Sequence, residues 1–176
     1  TKDGVITLVR AFALIVTKYP DAKLKLIGTN KDLLYIKKLH QIIAELGLSD
    51  RVIFTGFIHA DELPQELYKS RLLVLSRPTS MQSMGGFPTK LGEYLATGIP
   101  VAVTKVGELP LYLKDEVNSF LAEPDNVTSF ADAMCRSLGN IKLSMEVGKN
   151  GRATAIKYFS SVEQGVLMSE FLMSNR

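Results

Sequence analysis

Residues 85–110 read GGFPTKLGEYLATGIPVAVTKVGELP. Two glycines, a phenylalanine and a proline stand before a short amphipathic run, TKLGEYLA. Thr97-Gly98 breaks that run, and the apolar stretch from Ile99 to Thr104 follows. The order is turn, helix, turn, buried strand. Gly85 and Gly86 let the backbone turn tightly and let a ligand come close. Pro88 suits a first helical position, where its missing N–H costs nothing. The N–H groups of Thr89, Lys90 and Leu91 then point out of the helix start and, with the helix dipole, form an anion site. Lys90 adds a charge. Glu93, one turn in, offers a carboxylate able to accept two hydroxyl hydrogen bonds, as from a ribose diol. Phosphate plus sugar points to a nucleotide. The same residues also describe a helix with a glycine-rich entrance, a solvated Lys90 and a surface Glu93; such an entrance alone does not separate the two readings.

Outward from this stretch, helical and strand patterns alternate. Upstream, Val5 to Thr17 places Val5, Leu8, Val9, Phe12 and Ile15 on one helical face, with Asp3 as a good N-cap and Pro20 as a stop. Ala22 to Gly28 alternates as a strand, and Gly28-Thr29-Asn30 turns into an amphipathic helix from Lys31 to Leu46. Arg51 to Thr55 is a strand, Ala60 to Lys69 a short helix, and Leu72 to Ser76 an apolar strand buried on both faces. Arg77 to Phe87 reads as a loop, Pro88 to Ala96 as a helix, and Val101 to Thr104 as a second buried strand. Downstream, Ser119 to Ala122 is a weak strand, and three helices cover Val127 to Leu138, Ser144 to Tyr158 and Val162 to Met173. Strands spaced by helices imply parallel pairing with helices on both faces, a Rossmann-like doubly wound α/β sheet with extra C-terminal helices. Ligands of such sheets bind at the carboxyl ends of the strands. The loops after Ile27, Thr55, Ser76 and Thr104 are therefore expected to form one rim.

The chain has 176 residues, 46% of them hydrophobic and 22% charged, enough for one domain spanning 1–176 with a sizeable core. A net charge of +3 suits a small anionic ligand and is too weak to argue for nucleic acid. The lone Cys135 excludes an internal disulfide and reads as a small core residue. With only His40 and His59, the sequence suggests no metal site and no Ser-His-Asp or Cys-His arrangement. No apolar run reaches the length of a membrane span.

From Lys2 to about Asp125 the chain resembles the C-terminal, donor-binding domain of GT-B glycosyltransferases, especially the retaining family 4 group. Gly86-Phe87 is similar to the Gly-Phe of that family's Glu-Gly-Phe-Gly…Glu motif, and Glu93 to its second glutamate. Ala96 to Thr104 is similar to its Ala-x-Gly-x-Pro-Val-Val-x-Thr stretch, and Gly107-Glu108 to the segment after it. Leu24 to Gly28, Val52 to Phe57, Lys2-Asp3-Gly4 and Asn118 to Leu121 fall in register with further family segments. The resemblance implies a sugar-nucleotide donor, UDP-, GDP- or ADP-linked, and transfer with retention that needs no bound metal or other cofactor. It makes Lys2, at the diphosphate, and Glu93, on the ribose hydroxyls, the catalytic candidates. Gly28 and Thr29 are implied to line the nucleotide pocket, Phe57 and Ile58 to border the base, and Gly85, Gly86 and Phe87 to lie against the donor sugar. Thr89, Lys90 and Leu91 complete the phosphate end.

The chain departs from the family in two ways. Gly85 stands where the first glutamate of the pair belongs. Three readings follow: a branch with the motif Pro-Thr-Lys-Leu-x-Glu-Tyr-Leu-Ala in which Lys90 helps at the phosphates, a substitute polar group such as Ser83, or nucleotide binding without efficient transfer. The first is favoured. The family's preceding strand, its Gly-Arg step and the N-terminal acceptor domain are also missing ahead of Lys2. The expectation is therefore a fragment, about half an enzyme, inactive alone and open to homodimerisation through its short sheet. Its acceptor, a sugar or lipid-linked sugar in polysaccharide, lipopolysaccharide or glycolipid assembly, would be met by the missing domain. The setting implied is cytoplasmic, with room for peripheral contact with the inner membrane. The other readings carried forward are a non-catalytic nucleotide-binding module and a sugar-nucleotide epimerase on the same fold.

Overall fold

The computed structural model describes residues 4–174. In chain order the elements are α1 (Val5–Ile15), β1 (Leu24–Ile27), α2 (Leu33–Glu45), β2 (Val52–Gly56), α3 (Leu63–Tyr68), β3 (Leu73–Leu75) and α4 (Met81–Gly85). They continue as α5 (Thr89–Ala96), β4 (Val101–Thr104), α6 (Leu109–Tyr112), β5 (Phe120–Ala122), α7 (Val127–Gly139), α8 (Ile141–Phe159) and α9 (Ser161–Ser174). The alternation read from the sequence is present, with two additions. The segment expected as a loop after β3 contains α4, and α6 follows β4. Both are one-turn helices, too short for a periodic apolar face to announce them.

Local chemistry sets the helix starts. Asp32, Asn126 and Asn140 each accept the N–H three residues on with a side-chain oxygen, capping α2, α7 and α8. The N-cap of α1 is Gly4, not the expected Asp3, which lies outside the described residues. Gly4 is left-handed at φ 56°, and a Cβ there would lie 1.8 Å from the Ser76 carbonyl oxygen, so only glycine fits this junction.

The strands are all parallel, as expected, but they form two hydrogen-bonded groups rather than one sheet: β1–β2, and β3–β4–β5. Alternate side chains divide between two apolar layers. Ala102, Phe120 and Ala122 join α1, α2 and α7 on one face, with Leu24 and Val52. Leu73, Leu75, Val101, Val103 and Leu121 join α3, α5, α6 and α8 on the other. This is the doubly wound arrangement. α8 closes over the second face so tightly that a Cβ on Gly148 would lie 2.1 Å from the Gly98 carbonyl oxygen.

The facing edges of β1 and β3 share no hydrogen bond. Between them runs a cleft roofed by α1 on one side and by α3 and α5 on the other. Its lower part, a cavity of about 750 Å³, is lined by Phe12, Ile15, Leu24, Ile53, Leu72 and Val74, among others. Its upper part, about 170 Å³, reaches Ile27, Ser76, Lys90 and Tyr94 at the carboxyl ends of the strands. At the far end of the chain α9 packs mainly against α8 and leaves Val162, Leu167, Met168 and Leu172 exposed. Among the described residues no helix is long and apolar enough to cross a membrane.

Candidate functional site

The rim at the carboxyl ends of the strands is built in two parts. On the β3 side the chain leaves the sheet at Ser76 and Arg77. The Arg77 backbone is locked from both directions: its N–H donates to Thr104 Oγ1 at 2.9 Å, and that hydroxyl donates to the Arg77 carbonyl at 2.8 Å. Asp125 Oδ2 accepts the Thr79 N–H at 2.8 Å and so holds the next turn against the loop after β5. Ser80 and Ser83 then form a reciprocal capping box that starts α4.

Gly85 and Gly86 end α4, and they are not equivalent. A Cβ on Gly86 would lie 2.7 Å from the Gln82 carbonyl oxygen, while a Cβ on Gly85 meets nothing within 4 Å. Close approach demands glycine at 86; nothing steric demands it at 85. The Gly86 carbonyl accepts a hydrogen bond from Arg77 Nη1 at 2.8 Å. Phe87 stacks on Phe159 at 4.8 Å and meets Tyr112 edge-on at 5.9 Å, which ties the loop to the end of α8.

Pro88 is the N-cap of α5 rather than its first helical residue, and no side chain caps the helix. The backbone thus leaves the helix start open toward the rim at Thr89, which is exposed. Leu91 differs from expectation: its N–H donates to the Pro88 carbonyl at 2.9 Å and its side chain is fully buried. A 3₁₀-type bond in the first turn has taken the donor that the sequence left free. Leu91 anchors the helix; it offers the rim nothing. Lys90 reaches the upper cleft beside Ile27, Ser76 and Tyr94. Glu93 is exposed on α5 with no hydrogen bond or ion pair among the described residues, so its carboxylate is available to a ligand.

On the β1–β2 side the rim is two turns joined by one bridge. The Gly28 N–H donates to the Gly56 carbonyl at 2.9 Å, and both glycines are at positive φ, 115° and 68°. This bridge sets Gly28 and Thr29 beside Phe57 and Ile58. Phe57 is 71% exposed and meets His59 edge-on at 5.2 Å. A side chain so exposed is not part of the core. His40 stacks on Phe54 at 4.6 Å behind it.

The structure therefore brings the sequence-predicted residues together in two clusters: Gly85, Gly86, Phe87, Thr89, Lys90 and Glu93 around the start of α5, and Gly28, Thr29, Phe57 and Ile58 across the bridge. The upper cleft between β1 and β3 joins them at Ile27 and Lys90. Lys2 lies outside the described residues. Ser83, a candidate to replace the absent glutamate, is 2% exposed and its hydroxyl is spent within the turn, donating to the Pro78 carbonyl at 2.6 Å. It is structural. Among the described residues no three His, Cys, Asp or Glu side chains gather where a metal ion could sit.

The residue that sequence reasoning passed over is Arg77. It is 1% exposed, the largest fully buried side chain in the domain. Among the described residues it has no carboxylate partner, and its Nε is buried without an acceptor. One signal was available: a cation directly after an apolar strand, at the strand end where ligands of this fold bind.

Residues 1–140 match the family described as glycosyl transferases, group 1. An N-acetyl-alpha-D-glucosaminyl L-malate synthase of Bacillus anthracis is 30% identical over 154 residues, which is 88% of this chain and 38% of that protein. The Anabaena protein HepE, solved in complex with UDP, superposes with a TM-score of 0.86 at 27% identity, covering 98% of this chain and 45% of that one. The C-terminal domain of a Francisella tularensis group 1 glycosyl transferase, LpcC, gives a TM-score of 0.79 at 27% identity, covering 91% of this chain and 81% of that domain. The chain thus spans less than half the length of the first two of these relatives.

Proposed function

This chain belongs to the group 1 glycosyltransferases, and on that premise we propose that it is the donor-binding half of an enzyme that transfers a sugar from a nucleotide sugar to an acceptor. The observation that carries the reading is the start of α5. Glu93, an exposed carboxylate with no partner among the described residues, stands one turn inside a helix whose open N-terminus and Lys90 lie at the rim. The structure of HepE with UDP supports the same use of the same fold.

In this reading Glu93 accepts the two ribose hydroxyls. The helix start and Lys90 meet the diphosphate, whose charge grows as the glycosidic bond breaks. Lys2, outside the described residues, is the second cation assigned to the diphosphate. The backbone at Gly85 to Phe87 lies along the donor sugar, and Gly28, Thr29, Phe57 and Ile58 flank the nucleoside. Transfer proceeds with retention in the cytoplasm, and the acceptor half carries the acceptor and any membrane contact.

The cleft between β1 and β3 fits the same picture. α1 starts at the carboxyl end of β3, where Gly4 packs on Ser76, and then leads into β1. A parallel strand directly preceding α1 would enter the cleft and join α1 and β1 in the usual right-handed crossover. Such a strand would unite the two hydrogen-bonded groups into one sheet.

Thermal unfolding with UDP, GDP, ADP and CMP tests the reading. A nucleoside diphosphate at about a hundred times its Kd adds about 2.7 kcal/mol, roughly 5–10 °C in Tm for a domain of this size. The expected result is a shift with at least one diphosphate that is lost in Glu93→Ala. No shift with any of the four overturns it.

A further inference from the structure

We propose that Arg77 is a positioning residue of the donor site, a fixed buried cation whose counter-charge is the diphosphate of the bound nucleotide. The inference rests on the donor-binding reading above and names a residue that reading does not contain.

An arginine guanidinium carries a permanent charge. Buried charges are ordinarily paired, because a charge taken out of water without a partner is costly. A partly buried arginine obeys that rule: Arg136 contacts Asp115, Glu116 and Asp132. Arg77 is more deeply buried than Arg136 and among the described residues has none. Its Nη1 is spent on the Gly86 carbonyl, and its Nε has no acceptor. Packing does not require a charge here, since methionine has a similar reach and no desolvation cost.

Its place explains the exception. The backbone of Arg77 is fixed by Thr104 at the carboxyl ends of β3 and β4. Its guanidinium lies beneath Gly86, two residues before Pro88 caps α5. It therefore stands under the turn that leads to the open helix start. A charge held there acts on an anion at the rim through protein of low dielectric rather than through water. It also fixes the direction of the Gly86 carbonyl, which sets the turn on which the donor sugar rests. Arg77 does not touch the ligand; it acts through Gly86 and through its field.

The test compares a diphosphate with a ligand that lacks it. Whichever nucleoside diphosphate binds the wild type is titrated, with its parent nucleoside, into wild type, Arg77→Lys and Arg77→Met. The expected result is an affinity for the diphosphate lower by about tenfold or more in Arg77→Met, with the nucleoside unchanged and Arg77→Lys recovering most of the loss. If diphosphate and nucleoside weaken together, Arg77 is only a structural support and the proposal fails. It fails equally if neither changes. Should Arg77→Met not fold, Arg77→Gln, which keeps a donor for Gly86 without the charge, is read in the same way. If the wild type binds no diphosphate, the donor-binding reading has failed instead, which separates the two.

Discussion

The two halves of the sheet are made of similar residues and are finished to different degrees. In β4 every residue is buried, Val101, Ala102 and Val103 wholly so. β5 is buried as completely, and helices cover both faces. In β2 only Val52 is buried; Ile53 and Phe54 are 38% and 40% exposed, and Ile27 at the end of β1 is 37% exposed. The difference lies in neighbours rather than composition. β4 has a strand on each side, whereas β1 has β2 on one side and the cleft on the other. The loops that carry Arg77 and Gly86 hang on the finished half. The β1–β2 half, proposed above to flank the nucleoside, is the one still open.

The sharpest way to break this comparison is one substitution made in both halves. Phe120→Ala, in β5 at 0% exposure, is expected to cost about 3–5 kcal/mol by urea unfolding. Phe54→Ala, in β2 and exposed, is expected to cost about 1 kcal/mol. Equal costs would mean that the β1–β2 half is as well packed as the other.

The closure of α8 over the finished half gives the next largest effect. Gly148→Ala drives a Cβ into the Gly98 carbonyl and should cost about 1–3 kcal/mol. Gly165→Ala, in α9 with open space around it, should instead stabilise, by up to about 1 kcal/mol. A neutral Gly148→Ala would show that α8 sits less tightly than drawn.

Gly85→Glu introduces the first glutamate that the family resemblance implies at this position. With nothing within 4 Å of its Cβ, it should leave stability within about 0.5 kcal/mol of wild type. A large loss of Tm would show that the end of α4 is more confined than its geometry indicates. An unchanged Tm leaves the variant fit for comparing donor binding with and without the first glutamate.

The smallest effect sits at the edge of the cleft. Lys25 Nζ donates to Glu66 at 2.7 Å and Lys69 joins the same carboxylate; their hydrogen bonds hold the Glu66 carboxyl down to about 2 from an ordinary 4.5. A carboxyl lowered on folding contributes stability that is full above its unfolded pKa and lost as pH falls through the folded one. The Tm difference between wild type and Glu66→Gln should therefore be present at pH 6 and shrink between about 4.5 and 2. A difference that does not vary over that range would show that the pair forms no lasting contact in solution.

Much of this architecture was legible in the residues. Apolar periodicity located the main helices and all five strands to within a few residues, because side-chain burial repeats every two residues in a strand and about every 3.6 in a helix. The helix start near Pro88 also followed from local pattern, whereas the two readings of Glu93 stayed open there. α4 and α6 did not, being single turns. The freedom of the Leu91 N–H was misjudged because the first turn tightened onto Pro88. Ser83 was misjudged because its hydroxyl is consumed by its own turn. Arg77 reads only as the start of a loop: its place at the strand end is a signal, but the sequence does not say whether such an arginine is paired, solvated or buried.

By itself the sequence determined the parallel α/β alternation, the glycine-rich helix entrance and the family to which the chain belongs. Each of these is carried by residues close together in the chain. The tertiary structure alone decided that Gly86 is obligatory and Gly85 is not, that the sheet divides between β1 and β3, and that Arg77 is buried without a counter-charge among the described residues. These depend on contacts between distant segments: Arg77 with Thr104 is 27 residues apart, and Gly4 with Ser76 is 72. Whether a Cβ finds room, an N–H finds an acceptor or a charge finds a partner is settled only when such segments meet.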